Sequence, residues 1–496
     1  MNAPDLKLVA GNPVLAAGQS KFHESARAQV AGAATYIDDL PELRGTLHAA
    51  PVCSPVAPGK LLGLDASAAL AVPGVRAFIS AADIPGDTTL AAFAHDEPVF
   101  AHDTVQFVGQ VGGLIVADTV MTARRAARLV KWQVEALPAV LSVWEAHALQ
   151  SYVLPPVHVK RGDAQAALAR APHQLEGTFE VGGQEHFYLE GQIAYVLPQE
   201  QNQWVVYSST QHPGEVQHWV SHALGIDNHA VKVECRRMGG GFGGKETQAG
   251  HLAVWAAIAA NKLRSPVKLR LDRDDDFMVT GKRHPFAYEY DVGFDNTGRI
   301  TGLKLQMAAN CGFSADLSGP VADRAVFHAD NAYYLSDVEI ASYRCKTNTQ
   351  SHTAFRGFGG PQGVIVIEAI LGDIARALGR DAQDVRMAGM FGCMRLKPGD
   401  FLDLAAQPAF ARPLQADTSS LSLVVAELPG YAGDPEWTLV TNCTNEVRVH
   451  KHRVQGNEKL MAVPVSRHHY VHSGTTLSFK RGDINQPLVD HVRELR

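Results

Sequence analysis

The residues with the clearest potential for chemistry form a glycine cluster at 239–246, with the sequence GGGFGGKE. The cluster fits the pattern G-x-G-x-x-G through Gly239, Gly241 and Gly244, and it fits most of the pattern G-x-x-x-x-G-K-[ST]. Backbone without side chains presents several N–H groups to an anion at the start of a helix, where the helix macrodipole adds a favourable potential. The cluster therefore predicts a polar or anionic ligand.

Two nucleotide interpretations of this cluster meet difficulties. Glu246 stands where a nucleoside triphosphate site needs a Ser or Thr hydroxyl for magnesium, and its charge would lie among the phosphates. A dinucleotide site needs an acidic residue about 20 positions further on, whereas Asp272, at the end of the nearest predicted strand, lies farther away. The simplest alternative is a glycine turn that only packs a helix on a sheet.

The elements around the cluster follow the order strand, glycine loop and helix. Residues 230–235 form a β-type run, and residues 247–263 carry apolar side chains at the spacing of a buried helix. A second cluster, RGFGGP at 356–361, precedes a predicted helix over 364–378. Both clusters are thus predicted to lie in loops that lead into helices.

Composition limits the partners of the chain. Its 45 Lys and Arg residues against 51 Asp and Glu give a formal net charge of -6, which leaves no positive field for nucleic acid or an anionic membrane. The longest apolar stretches, such as residues 252–260, are far shorter than the ~20 residues needed to cross a bilayer. The N-terminus lacks the charged and apolar regions of a signal peptide. We predict a cytoplasmic protein that binds neither nucleic acid nor a membrane.

The six cysteines are scattered, and no two of them have C-x-x-C or a similar ligand spacing. They are Cys53, Cys235, Cys311, Cys345, Cys393 and Cys443. The sequence therefore predicts no iron–sulfur cluster and no structural zinc site on this chain.

The 496 residues suffice for two to four domains. We predict a flexible arm over 1–20, a small α+β domain over 21–140, a proline-containing linker over 141–158 and a second domain over 159–389. Residues 390–496 form a tail without an assigned fold, whose basic and histidine-rich tracts at 447–453 and 467–472 favour a solvated surface over a metal site. The first domain is expected to fold independently.

Three motifs taken together point to a known family: GGGFGGKE at 239–246, TAFRGFGGPQ at 353–362 and GQEHFYLE at 183–190. In combination they resemble the molybdenum-binding subunit of xanthine dehydrogenases, and ADRAVFHADN at 322–331 and TYIDD at 35–39 fit as well. The likeness extends from about residue 22 to about residue 386. It implies an α+β protein, with a hammerhead-type α+β domain followed by a partial molybdopterin-binding α/β domain.

The resemblance implies a molybdenum–molybdopterin cofactor, whose metal centre inserts water-derived oxygen into an electron-poor C–H bond of a purine such as xanthine or hypoxanthine. Gln211 matches a glutamine that hydrogen-bonds a molybdenum ligand. Phe242 and Gly243 match the part of the glycine loop whose backbone approaches the metal. Arg356 matches an arginine that contacts the cofactor.

The resemblance also implies three substrate-binding residues. Glu246 matches a carboxylate that binds the purine, Arg324 matches an arginine facing it across the pocket, and Phe358 matches a phenylalanine that stacks on the flat ring. A guanidinium would stabilise negative charge that develops on the purine. Without the resemblance, Glu246 fits a first-turn helix carboxylate, Arg324 a surface arginine and Phe358 a core residue.

The sequence also departs from the family pattern. The family's Gly-Thr-Glu-Met-Gly-Gln-Gly cofactor loop and the Gly-Glu-Pro-Pro segment that carries its catalytic base do not occur in the sequence. We therefore expect a truncated or altered subunit without a catalytic base, inactive on xanthine by itself. Iron–sulfur clusters and FAD are expected on a partner subunit that passes electrons to NAD. A P-loop-like nucleotide-binding protein and a non-catalytic fragment are the alternatives.

Overall fold

The structure is a computed structural model that describes residues 20–389 apart from residues 91 and 93, together with short strands further along the chain. Most of the predicted arm and the side chains of the predicted tail lie outside the described residues. The later strands form three antiparallel pairs. They are Met394–Leu396 with Trp437–Leu439, Phe401–Asp403 with Ser422–Val424, and Val447–Val454 with Asn457–Pro464.

The strands before residue 140 are short and alternate with short helices. They are β1 (Leu47–Cys53), β2 (Gly59–Asp65), β3 (Val75–Ser80), β4 (Thr89–Leu90), β5 (Glu97–Pro98), β6 (Thr104–Val105), β7 (Val111–Ala117) and β8 (Lys131–Ala136). The helices of this part are α1 (Ala26–Val30), α2 (Ser67–Leu70) and α3 (Val120–Ala127).

The later part of the described chain has longer elements. Its strands are β9 (Tyr152–Arg161), β10 (His173–Val181), β11 (Ile193–Pro198), β12 (Trp204–Ser208), β13 (Val231–Glu234), β14 (Val267–Arg270), β15 (Phe286–Phe294), β16 (Ile300–Gly312) and β17 (Val338–Lys346). Its helices are α4 (Val143–Ala148), α5 (Ala164–Arg170), α6 (Pro213–Leu224), α7 (Gln248–Leu263), α8 (Arg273–Val279), α9 (Ser318–Phe327), α10 (Gly360–Leu378) and α11 (Ala382–Gly389). No helix of the described residues is both long and apolar enough to span a membrane.

A seven-stranded sheet joins the two parts of the chain. Its strand order is β13-β12-β11-β14-β1-β7-β3. At the junction β1 runs parallel to β14, with Leu47 opposite Val267. The core against this sheet is shared too, because Ile79 and Leu252 belong to one buried cluster. This arrangement conflicts with the expectation that the first 140 residues fold independently, since their sheet and core are completed by the later part.

Buried polar contacts also cross between the two parts. One Glu97 oxygen lies 2.7 Å from His251 Nε2 on α7, and the other accepts a hydrogen bond of 2.7 Å from the Ser314 hydroxyl. Asp96 accepts a hydrogen bond of 2.7 Å from the backbone N–H of Ala315. A buried carboxylate that lost these partners would be costly, so the contacts fix the two parts relative to each other.

A second sheet has the order β10-β15-β16-β17-β9 and packs against α10. Its edge strand β9 begins inside the predicted linker over 141–158, and α4 lies in the same segment. The linker prediction was therefore wrong as a description of backbone. Pro155 and Pro156 had indicated a linker, but a strand at the edge of a sheet tolerates proline. The division of the chain into units near residue 140 stays a prediction.

Helices α7 and α10 begin directly at the two glycine clusters. Residues 248–260 of α7 are all buried, so its apolar surface is covered within the described chain. Helix α10 begins at Gly360, earlier than predicted, because Pro361 occupies its first turn, where the missing N–H costs nothing. Each cluster thus leads into a buried helix that fixes its position.

Candidate functional site

The loop over 239–246 has a backbone that requires glycine. Gly240 and Gly243 have φ values of 98° and 102°, in the region that side chains disfavour. A Cβ atom on Gly243 would lie 2.6 Å from the carbonyl oxygen of Ala354, and one on Gly241 would collide with the side chain of Gln211. The loop is therefore shaped for close approach of backbone to its neighbours.

The second loop, over 353–361, also contains glycines with positive φ values. Gly357 and Gly359 have φ values of 99° and 90°, and Phe358 between them has a φ of 49°. In the first loop Phe242 likewise has a positive φ, of 54°. A phenylalanine in this region is strained, and such strain concentrates at ligand-binding sites. Each loop therefore places a phenylalanine with a positive φ directly before a glycine with a positive φ.

The two loops contact each other directly. The N–H of Arg356 donates to the carbonyl oxygen of Phe242 over 2.8 Å. His186, from the GQEHFYLE segment, donates from Nε2 to the carbonyl oxygen of Ala354 over 2.7 Å. A Cβ atom on Gly244 would collide with the His186 ring, so this ring packs under the first loop as well. The structure thus brings three of the quoted motifs into one site.

Gln211 lies between β12 and α6 and binds the first loop through its amide oxygen. Its Oε1 accepts from the N–H of Gly243 over 2.8 Å and from the N–H of Lys245 over 3.3 Å. Its Nε2 lies 3.5 Å from a carboxylate oxygen of Glu246. Because backbone donors occupy the oxygen, the amide NH₂ of this exposed side chain is the end that faces outward.

Glu246 is half-buried at the end of the first loop. Burial raises the pKa of its carboxyl above the ordinary value, and the nearby His212 opposes that rise. A carboxyl whose pKa rises toward neutrality serves better for proton exchange than an ordinary surface glutamate. Its position beside the Gln211 amide therefore suits a residue that shares a proton or a hydrogen bond with a ligand.

The remaining residues predicted from the resemblance lie around the second loop. Arg324, on α9, is exposed and donates from Nε to His328 over 3.2 Å, and a Cβ atom on Gly360 would lie 3.9 Å from the same nitrogen. Phe358 is half-buried and the side chain of Arg356 is exposed. Within residues 20–389, Arg324 and Glu246 form no ion pair with each other, so their arrangement across one pocket stays a prediction.

Lys245 faces inward, away from any position where it could bind a phosphate. Its side chain is 0% exposed, and Nζ donates to the backbone oxygen of Glu190 over 2.6 Å and to the Ser209 hydroxyl over 2.8 Å. Burial lowers the pKa of this ammonium to about 8. The P-loop alternative was therefore wrong, because its lysine must reach the phosphates of a nucleotide.

Sequence reasoning did not single out several residues that hold the site. Glu190, His186 and Lys245 lay inside the quoted motifs, so their place in those motifs was the available signal. Arg283 carried no signal. Its guanidinium lies 3.9 Å from the centroid of the Phe355 ring and donates to the carbonyl oxygen of Arg356 over 2.8 Å, which supports the second loop from below.

The residues present fit a group held by backbone and amide atoms. Side chains at Gly241 and Gly243 would fill the space in which the two loops and Gln211 meet. The outward amide of Gln211 supplies a hydrogen-bond donor beside that space. These features suit a cofactor that the protein holds by hydrogen bonds. Within the described residues, no three His, Cys, Asp or Glu side chains converge as direct metal ligands.

Comparison with known families identifies this arrangement. Residues 146–390 match the molybdopterin cofactor-binding domain, and residues 31–138 match the a/b hammerhead domain of aldehyde oxidase and xanthine dehydrogenase. The chain belongs to the xanthine dehydrogenase and aldehyde oxidase family. The expected α+β class, with a hammerhead domain followed by a molybdopterin-binding domain, is thereby confirmed.

Relatives within this family include two animal enzymes. The chain is 43% identical over 371 residues to the xanthine dehydrogenase of Calliphora vicina, covering 74% of this chain and 27% of that protein. It is 42% identical over 375 residues to the xanthine dehydrogenase/oxidase of Gallus gallus, covering 75% and 28% respectively. The chain therefore matches just over a quarter of the length of these relatives.

Solved structures of the family share the fold. The aldehyde oxidoreductase from Desulfovibrio gigas superposes with a TM-score of 0.67 at 26% identity, covering 76% of this chain and 43% of that chain. The CO dehydrogenase from Oligotropha carboxidovorans gives a TM-score of 0.67 at 24% identity, covering 77% and 50% respectively. The second likeness concerns the fold alone.

Proposed function

We propose that this chain is the molybdenum-cofactor subunit of a purine hydroxylase of the xanthine dehydrogenase type. The observation that carries the proposal is the orientation of the Gln211 amide. Two backbone N–H groups of the first loop bond its oxygen, so its NH₂ group points outward beside Glu246. Identities of 42% and 43% with xanthine dehydrogenases support the assignment of substrate class.

The proposed cofactor is molybdenum–molybdopterin, which when bound supplies the oxygen-transfer and electron-accepting chemistry of hydroxylation. We propose that the Gln211 amide donates a hydrogen bond to a ligand of the metal. The backbone of Phe242 and Gly243 approaches the cofactor where the two loops meet, since the carbonyl oxygen of Phe242 accepts from the N–H of Arg356. The exposed Arg356 side chain offers a positive charge to the cofactor from the second loop.

The proposed substrate is a purine held between the two loops. Glu246 binds its ring nitrogens and holds or releases a proton there, which the raised pKa of its carboxyl favours. Arg324 stabilises the negative charge that the ring gains during oxidation. Phe358 stacks on the flat heterocycle, since an aromatic face suits another aromatic face.

Two components of the proposed reaction come from elsewhere. The sequence contains no Gly-Glu-Pro-Pro segment, so we propose that the carboxylate base lies outside these 496 residues and that the chain alone is inactive. We propose that electrons leave through a partner subunit with iron–sulfur clusters and FAD, and reach NAD in the cytoplasm. The alternative of a non-catalytic fragment makes a different prediction for ligand binding, because such a fragment would bind neither cofactor nor purine.

Ligand binding tests this proposal. The full chain, produced in a host that makes molybdopterin, is dialysed against xanthine and separately against an aromatic aldehyde. We expect xanthine to bind, without turnover by this chain alone. Glu246→Gln should weaken xanthine binding about 10–100-fold, because a charge-assisted hydrogen bond contributes about 1.5–3 kcal/mol.

The matched control is Glu135→Gln, at an exposed glutamate of β8. It should leave xanthine binding unchanged. A preference for the aldehyde, or equal xanthine binding by Glu246→Gln and the wild type, would overturn the purine assignment. Steady hydroxylation of xanthine by the chain alone would overturn the assignment of the base to another chain or segment.

A further inference from the structure

One carboxylate holds both ends of the first glycine loop. The Oε2 atom of Glu190 accepts from the N–H of Gly239 over 2.8 Å and lies 3.4 Å from Nζ of Lys245. It also accepts from the Ser209 hydroxyl over 2.5 Å. Because Gly239 and Lys245 stand at opposite ends of the loop, a movement of Glu190 would release both ends together.

The ion pair that forms this tie is nearly dry. The Lys245 side chain is 0% exposed and that of Glu190 is 11% exposed. The ammonium also lies 4.5 Å from the centroid of the Tyr188 ring, which adds a cation–π contact. Removing one partner from such a pair leaves the other charge buried and uncompensated, which is strongly destabilising.

The loop transmits this tie to Gln211. The backbone oxygen of Lys245 accepts from the N–H of Gln211 over 2.7 Å, and the N–H of Lys245 donates to the Gln211 Oε1 atom over 3.3 Å. The backbone at Lys245 therefore fixes both the main chain and the amide of Gln211. A shift of Lys245 would turn the Gln211 amide away from Glu246.

We propose that Glu190 is a positioning residue, whose charge, paired with buried Lys245, fixes the glycine loop and thereby directs the Gln211 amide toward the cofactor. Glu190 itself is proposed to touch neither the cofactor nor the substrate. The inference rests on the proposed function only for the identity of the cofactor, since the tie itself consists of contacts within the chain.

This role predicts a pH signature. Burial lowers the pKa of Lys245 to about 8, and Glu190, followed by Asp276 and Cys235, acts against that fall. In Glu190→Gln the amide can still accept from Gly239 and Ser209, but it can no longer compensate the ammonium. The variant should therefore be weakest below pH 8, where wild-type Lys245 is charged. Above pH 8 the wild-type lysine is neutral, so the deficit should disappear. A purely structural hydrogen bond would give a deficit that does not change with pH.

The experiment uses the full chain and measures unfolding by denaturant between pH 6.5 and 9.5. Near pH 7 we expect Glu190→Gln to raise the unfolding constant at least ~10-fold, and near pH 9.5 the two proteins should agree within about 3-fold. Hydrogen exchange at pH 7 reports the loop itself. The amides of Gly243 and Lys245, which bond Gln211, should exchange about 10-fold faster in the variant.

Control and rescue variants complete the test. Glu200→Gln, at an exposed glutamate, should match the wild type throughout. If Glu190→Gln or Lys245→Met fails to fold, the double variant Glu190→Gln/Lys245→Met should fold, because it removes both buried charges at nearly constant volume. A pH-independent deficit, unchanged amide exchange in the loop, or no rescue would overturn the proposal. If wild type binds no molybdopterin, the proposed function fails, while these readouts still decide the role of Glu190.

Discussion

Protonation of His186 should destabilise the fold around the two glycine loops, because it would place a positive charge on a buried ring. The residue is 6% exposed, its Nε2 donates to the carbonyl oxygen of Ala354 over 2.7 Å, and its ring centroid lies 4.6 Å from that of Phe355. The ring is neutral near pH 7, because burial lowers the pKa of His186 to about 4 from the ordinary 6.5, although the hydrogen bond to Ala354 opposes that fall. Acid therefore acts on the site through this histidine.

The sign and size of the effect follow from these two pKa values. Between pH 6.5 and 4 the unfolded chain binds a proton on this histidine and the folded chain does not, so stability falls as the pH falls. From pH 7 to pH 5 the loss attributable to His186 is about 2 kcal/mol, or roughly a 30-fold change in the unfolding constant. Below pH 4 both forms are protonated and the loss stops growing.

Denaturant unfolding of the full chain at pH 7 and pH 5 measures this loss. His186→Gln keeps a hydrogen-bond donor and cannot titrate, so its stability should fall by about 2 kcal/mol less than that of the wild type over the same pH interval. His229→Gln, at a residue whose side chain is 81% exposed, is the control and should behave as the wild type. Equal pH dependence of wild type and His186→Gln would refute the reasoning.

Three further predictions concern the site and the joint between the two parts of the chain. In a protein extended to the full length of the family, Arg324→Met should lower kcat more than it raises KM, by about 3 kcal/mol in total. The reason is that the charge that we propose Arg324 stabilises develops in the transition state; steady-state kinetics measure this effect, and a change in KM alone would contradict the proposed role. Glu97→Gln should lower the free energy of unfolding by about 3 kcal/mol, because buried His251 loses its charged partner. Denaturant unfolding at pH 7 measures this loss, and a difference below about 0.5 kcal/mol would contradict the prediction. Limited proteolysis should leave a resistant fragment that extends well past residue 140, because the first sheet and its core include both parts; a fragment ending near 140 would show that the first part folds alone.

The sequence allowed a good prediction of the local elements around the site. The strand at 231–234 and the helix over 248–263 agree closely with prediction, because their apolar periodicity is local information. The glycine clusters were recognisable for the same reason, since only glycine tolerates the backbone at Gly240 and Gly243.

Long-range pairing could not be predicted in the same way. Nothing in the residues of β1 specifies that they pair with β14, more than 200 positions later, so the shared sheet was missed. The direction of the Lys245 side chain could not be predicted from its motif either. The motif gives its position in the loop, whereas its inward direction depends on Glu190 and Ser209, which belong to other segments.

The metal content of the purified chain tests most directly whether the two glycine loops hold molybdopterin, as we propose. Gly243→Ala would place a Cβ atom 2.6 Å from the carbonyl oxygen of Ala354, whereas a Cβ atom on Gly182 would meet nothing within 4 Å. Mass spectrometry of chains produced in a host that makes molybdopterin should find molybdenum and pterin near one per chain in wild type and Gly182→Ala. Gly243→Ala should retain less than about a tenth of that amount, since both strain and collision act at this position. A folded wild type without molybdenum, or equal metal in Gly243→Ala, would contradict the account.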